Sequence, residues 1–156
     1  MKQFKKVQTQ LITLFAILAG GITTQVYSHC QIPCGIYDDA TRLKLIGEHT
    51  MTIEKSIKQI VALSEMQPPD NNQIVRWVQN KEQHADALSE IVTDYFMAQR
   101  IKPAAADSPQ YKNYIEQLTL LHEMLQTSMK CKQTTDLAQV EKLKTILDKF
   151  SKAYQG

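Results

Sequence analysis

Seven positions of this chain, 43, 46, 50, 53, 57, 60 and 64, read Leu, Ile, Thr, Ile, Ile, Ile and Ser, in steps of three and four. Such steps hold one face of an α-helix, which turns every 3.6 residues, whereas a strand would repeat every second residue. The stripe commits this segment to an amphipathic helix, capped by Asp38 or Asp39 and running to about Met66. A helix with an apolar stripe needs partners to cover it.

The rest of the chain supplies three. "QPPDNNQ", residues 67–73, stops the first helix at Pro68 and Pro69 and offers Asp70 or Asn72 as the next cap. A second helix is expected over residues 74–101, burying Ile74, Trp77, Val78, Ala85, Leu88, Ile91, Val92, Tyr95 and Phe96. After "KPAAADSPQ", with Ser108 as cap and Pro109 in the first helical position, a third helix over 110–130 buries Tyr114, Ile115, Leu118, Leu121 and Leu125. "CKQTTD" leads to a fourth over 136–154, with Leu137, Val140, Leu143, Leu147 and Phe150 inward. No strand-like alternation competes with these segments. The expected fold is all-α, an antiparallel four-helix bundle over residues 38–156, and 156 residues suffice for one such domain.

The first 28 residues read differently. Lys2, Lys5 and Lys6 precede an apolar run from Leu11 to Ile22, and Val26 and Ser28 suit positions −3 and −1 of a signal-peptidase site. The run is about a dozen residues against the roughly 20 that span a bilayer, so a signal peptide is expected rather than a permanent membrane anchor. The expected destination is outside the cytoplasm, periplasmic or secreted. Without residues 1–28 the chain keeps 15 Lys and Arg against 16 Asp and Glu, with no basic block to recruit nucleic acid. Three cysteines, Cys30, Cys34 and Cys131, then face an oxidising compartment, and the odd count leaves at least one for something other than an internal disulfide.

Cleavage after Ser28 places His29 at the amino terminus of a short hook, residues 29–37, "HCQIPCGIY". Its first two residues offer an α-amine, an imidazole, the Cys30 amide nitrogen and the Cys30 thiolate. A metal bound by the amine and the next amide nitrogen closes one five-membered ring; that nitrogen and its own cysteine sulfur close a second. Fused rings of this kind favour a planar site. Pro33 and Gly35 let the chain turn back and deliver the Cys34 thiolate as a fourth donor, with the His29 imidazole as an axial fifth. Planar nitrogen-sulfur sites select Ni2+ or Cu2+ over tetrahedral Zn2+, and anionic donors bring Ni3+ within reach.

"HCQIPCGIYDD" resembles the amino-terminal hook of the nickel superoxide dismutase family, His-Cys-x-x-Pro-Cys-Gly-x-Tyr, at every fixed position: His29, Cys30, Pro33, Cys34, Gly35 and Tyr37. "NKEQ" at residues 80–83 and "DYF" at 94–96 are similar to that family too. The resemblance implies a homohexamer of four-helix bundles that converts superoxide to oxygen and hydrogen peroxide by Ni2+/Ni3+ cycling. By the same resemblance, His29, Cys30 and Cys34 are the metal ligands, and Tyr37 stands beside the face where superoxide approaches. The best-known members hold the axial imidazole with a glutamate and an arginine. Here His84 follows "KEQ" in place of arginine, and Glu48 and His84 are the candidate partners of His29.

Plainer readings stand beside this one. A Cys30–Cys34 disulfide in a helical interaction protein uses the same cysteines, and an exported nickel or copper carrier without turnover uses the same donors. His49 and His122, inside helices, read as surface or satisfied histidines. Cys131 reads as a loop thiol, free or bridging two chains. Trp77, Tyr95 and Phe96 read as core or subunit contacts.

Overall fold

The computed structural model describes residues 32–155. Four helices fill it: α1, Asp39–Ser64; α2, Asn71–Glu90, which runs on into a π-helical segment, Ile91–Arg100; α3, Tyr111–Gln133; and α4, Leu137–Gln155. Among the described residues there is no strand. Each helix packs on the next and α4 returns to α1, so the four close into an antiparallel bundle, as expected.

Local chemistry sets the starts of the helices. The Asp38 carboxylate accepts the Thr41 N–H at 2.9 Å and the Thr41 hydroxyl at 2.8 Å, which makes Asp38 the cap and leaves Asp39 in the first turn. Asp70 accepts the Gln73 N–H at 3.1 Å, and Asp136 accepts the Ala138 N–H at 2.9 Å. The third start departs from expectation. Ser108 and Pro109 lie in a turn closed by the Tyr111 N–H on the Ser108 carbonyl at 3.1 Å, so α3 begins at Tyr111. The Ser108 hydroxyl is buried and caps nothing among the described residues.

The stripe of α1 is buried as read, except that Ser64 is exposed and Ser56 joins it. In α2 the inner face is Lys81, Ala85 and Leu88; Ile74 and Trp77 are only half-buried and Val78 is exposed. The reason is length. Lys81 stands level with the loop after α3, where it meets the Lys132 and Thr134 carbonyls, so residues 71–80, about 15 Å of helix, extend past the end of α3.

In α3 the buried line runs through Leu121, Met124, Ser128 and Cys131, with Leu120 and Thr127 beside it, while Ile115 is exposed. Ser128 is accepted inside because its hydroxyl donates to the Ala85 carbonyl at 3.1 Å, where α2 and α3 approach closely. In α4, Ile146 is buried and Leu137 is exposed, against expectation, because Leu137 opens the helix at the rim of the bundle.

The second helix was expected to stay α-helical to Ile101, but its last ten residues are a π-helix, closed by the Ile101 N–H on the Phe96 carbonyl at 2.9 Å. Tyr95 and Arg100, five residues apart, would diverge by about 140° on an α-helix. The i→i+5 winding returns them to one side. Both then reach Asp39, at the start of α1.

Candidate metal centre

The hook enters the described residues at Ile32; the leader, His29 and Cys30 lie outside them. The Ile32–Pro33 bond is cis. Residues 33–36 form a tight turn in which the Ile36 N–H donates to the Pro33 carbonyl at 3.3 Å and Gly35 has φ +77°. A positive φ in the third position of such a turn calls for glycine, which loses nothing there because it has no Cβ. Cys34 occupies the exposed second position, so the Pro-Cys-Gly sequence presents a thiol at a turn tip.

Tyr37 follows, 40% exposed. Its ring meets Tyr95 edge-on at 5.9 Å, its hydroxyl donates to Gln99 Oε1 at 3.4 Å, and the Arg100 guanidinium lies over it, 4.4 Å from the ring centre. Gln99 is fixed in turn, its amide donating to the Asp94 carbonyl at 2.7 Å. Every one of these contacts comes from the π-helical segment.

Beneath Tyr37 sits Asp39, whose carboxylate accepts four hydrogen bonds. Tyr95 Oη (2.6 Å) and Arg100 Nε (2.8 Å) donate to Oδ1; Arg100 Nη2 (2.7 Å) and Tyr154 Oη (2.9 Å) donate to Oδ2. The Arg100 hydrogen bonds, above all, hold the Asp39 carboxyl down to about 2, and Arg100 is raised in return. Burial first, then donation to Asp39, pushes the Tyr95 phenol up to about 12 and raises Tyr154. The network ties α1, the π-helical segment and α4 together directly behind the hook. The sequence reading took Asp39 only as a possible cap and passed over Gln99 and Arg100; Arg100 stands five residues from Tyr95, a spacing that an α-helix does not bring to one side.

Beside the hook opens a cleft of about 300 Å³, lined by Pro33, Arg42, His49, Glu90, Asp94 and Tyr95 among others. His84, a candidate partner of His29, meets His49: their Nδ1 atoms are 2.8 Å apart and their rings 5.0 Å, tilted by 54°. One ring therefore carries its proton on Nδ1 and the other does not. Burial, then the charge of His84, lowers the pKa of His49, against a smaller opposing pull from Glu48. Glu48 itself is exposed, 3.6 Å from Lys44, and lines a different groove with Met51 and Glu54. The fold thus puts His49, not His84, on the wall of the hook's cleft, with His84 reaching it only through His49, and leaves Glu48 outside.

Cys131 lies in the last turn of α3, not in a loop, and is fully buried as a free thiol. Burial pushes it up to about 11, and the sulfur is enclosed within the bundle rather than offered at its surface. Among the described residues no group of three or more His, Cys, Asp or Glu could hold a metal ion, and no helix is long and apolar enough to cross a membrane.

The described residues define a closed helical bundle with an exposed cysteine in a Pro-Cys-Gly turn at its amino-terminal end. The family model of nickel-containing superoxide dismutase matches residues 24–156, and the chain belongs to that family. It is a nickel-dependent oxidoreductase whose substrate is superoxide; the carrier reading has no support. No curated protein and no solved structure matches the chain.

Proposed function

We propose that dismutation takes place at the hook, where the His29 amine and imidazole, the Cys30 amide nitrogen and the Cys30 and Cys34 thiolates would hold nickel. The observation that carries this reading is Cys34 on an exposed turn whose Pro33 and Gly35 sit at the family motif's spacing from His29 and Cys30. The donor chemistry fits: two anionic sulfurs and a deprotonated amide suit a planar Ni2+ or Ni3+ ion. When bound, nickel would supply the one-electron Ni2+/Ni3+ chemistry that turning superoxide into oxygen and, with two protons, hydrogen peroxide requires.

The chain's own residues do the rest. Tyr37, half-exposed behind the hook, screens the approach of superoxide and its departure as peroxide. His84, paired with His49 on the wall of the adjoining cleft, is the better-placed candidate to meet the His29 imidazole; Glu48 faces elsewhere. Maturation completes the site. Signal peptidase removes residues 1–28, freeing the His29 amine, and the enzyme acts in the periplasm or outside the cell as a homohexamer of bundles over residues 38–156. The basic, apolar and small-residue order of the leader supports export, and the family resemblance supports the hexamer.

The deciding experiment compares nickel-loaded protein beginning at His29 with the same chain carrying one extra alanine in front. Dismutation only by the first ties activity to the free amine and the cleavage point. Equal activity would place the metal elsewhere. Cys34→Ser in the first chain should abolish activity while its helical circular dichroism is kept.

A further inference from the structure

We infer that Arg100 is a positioning residue for Tyr37, held in place by Asp39 and by the π-helical winding, so that the tyrosine's orientation at the hook is set from the far end of the second helix. The inference rests on the reading of Tyr37 as a residue of the superoxide face.

Tyr37 has little to hold it otherwise. It lies in the non-helical lead-in before α1, 40% exposed, and its described contacts are Tyr95, Gln99 and Arg100. The hydroxyl bond to Gln99, at 3.4 Å, is long for an O–H donor. The guanidinium over its face, at 4.4 Å, is well inside the roughly 6 Å over which a cation attracts an aromatic face.

Arg100, by contrast, is over-determined. Its Nε and Nη2 grip both oxygens of Asp39, a planar fork on a planar carboxylate, and Tyr95 and Tyr154 fix that carboxylate from two other elements. The ring of Tyr37 therefore rests against a guanidinium held by two hydrogen bonds to Asp39. The winding is what makes this possible: on an α-helix, Arg100 would point away from Tyr95 and from Asp39.

Arg100→Lys separates positioning from folding, because lysine keeps the charge beside Asp39 but loses the planar fork and the stacking face. The test uses nickel-loaded enzyme beginning at His29, in four forms: unchanged, Arg100→Lys, Tyr37→Ala and the double variant. A parallel pair, with and without Arg100→Lys, carries 3-fluorotyrosine at position 37 for 19F NMR. The expected result is unchanged nickel content and a fall in kcat/KM of about threefold to tenfold for Arg100→Lys. No further fall is expected on adding it to Tyr37→Ala, and the 19F line should move toward that of free fluorotyrosine. Full additivity of the two losses, or an unmoved 19F line, overturns the inference. If Tyr37→Ala is impaired but Arg100→Lys is not, the tyrosine's role stands and the role of Arg100 falls. If Tyr37→Ala has full activity, the reading of the tyrosine falls, and the 19F line alone decides whether Arg100 holds the ring.

Discussion

His49 and His84 meet nitrogen to nitrogen across the seam between α1 and α2, with 2.8 Å between their Nδ1 atoms. Such a contact tolerates one proton between the two atoms and not two. Burial and the neighbouring imidazole both act against charge on His49, lowering its pKa below the usual 6.5. The unfolded chain, free of both, takes up a proton at about 6.5 while the folded chain still refuses it. Stability should therefore fall as pH drops through 6.5 toward the lowered value, and level off below it. Urea midpoints at pH 7.5, 6.5 and 5.5 read this slope. His49→Gln should flatten it; an unchanged slope would mean that the pair does not control stability in this window.

Asp39 sets a second pH dependence, of the same sign and lower in the scale. Its folded carboxyl lies at about 2 against an ordinary 3.8, so its stabilisation is complete above 3.8 and is lost as pH falls toward 2. Asp39→Asn should lower stability at pH 7 by about 1.5–3 kcal/mol, the scale of hydrogen bonds to a charged acceptor. At pH 2 the two proteins should approach each other. Thermal melts at the two pH values check this, and equal midpoints at pH 7 would show that the four hydrogen bonds to Asp39 do not stabilise the fold.

These two sites also mark how far the sequence could be read. Leu43, Ile46, Ile53 and Ile57 announced their helix because a step of three or four is a property of the α-helix itself. Cys34 and Gly35 announced their turn for an equally local reason. Asp39 and Tyr154, 115 residues apart, share a hydrogen bond that no local pattern encodes. Arg100 was invisible because its partners depend on a change of helical winding, and His49, read as a surface or satisfied histidine, gave no sign of its partner His84 because the register of that helix pair is set by packing. Local chemistry was legible; the polar contacts between helices were not.

Cys131 should behave as an inert thiol. It is fully buried, and burial lifts it to about 11, so at pH 8 it is neither accessible nor appreciably ionised. Iodoacetamide should leave it unmodified in native protein and alkylate it in 8 M urea (a concentration on the order of full denaturation), with peptide mass spectrometry reading the site. Rapid native labelling would mean that the end of α3 opens far more readily than its packing implies.

Lys81 tests whether a buried charge can act as a helix cap. Its ammonium donates to the Lys132 and Thr134 carbonyls at the end of α3, with Glu82 3.6 Å away, and its side chain is almost wholly enclosed. Carbonyls at a helix end lack partners within the helix, and a cation there also meets the negative end of the helix dipole. Methionine in its place would keep most of the apolar stem and remove the desolvation cost of the charge, which alone predicts a neutral or stabilising change. It would also leave the carbonyls without their donor, at about 1–3 kcal/mol for each group that water cannot reach. The second effect should win, because the carbonyls stay where they are when the lysine goes. Lys81→Met is therefore expected to unfold at a lower urea concentration with an unchanged slope, and to lose amide protection first in the last turn of α3. A variant at least as stable as the parent would mean that water replaces the ammonium at those carbonyls, and that the buried charge is not a cap.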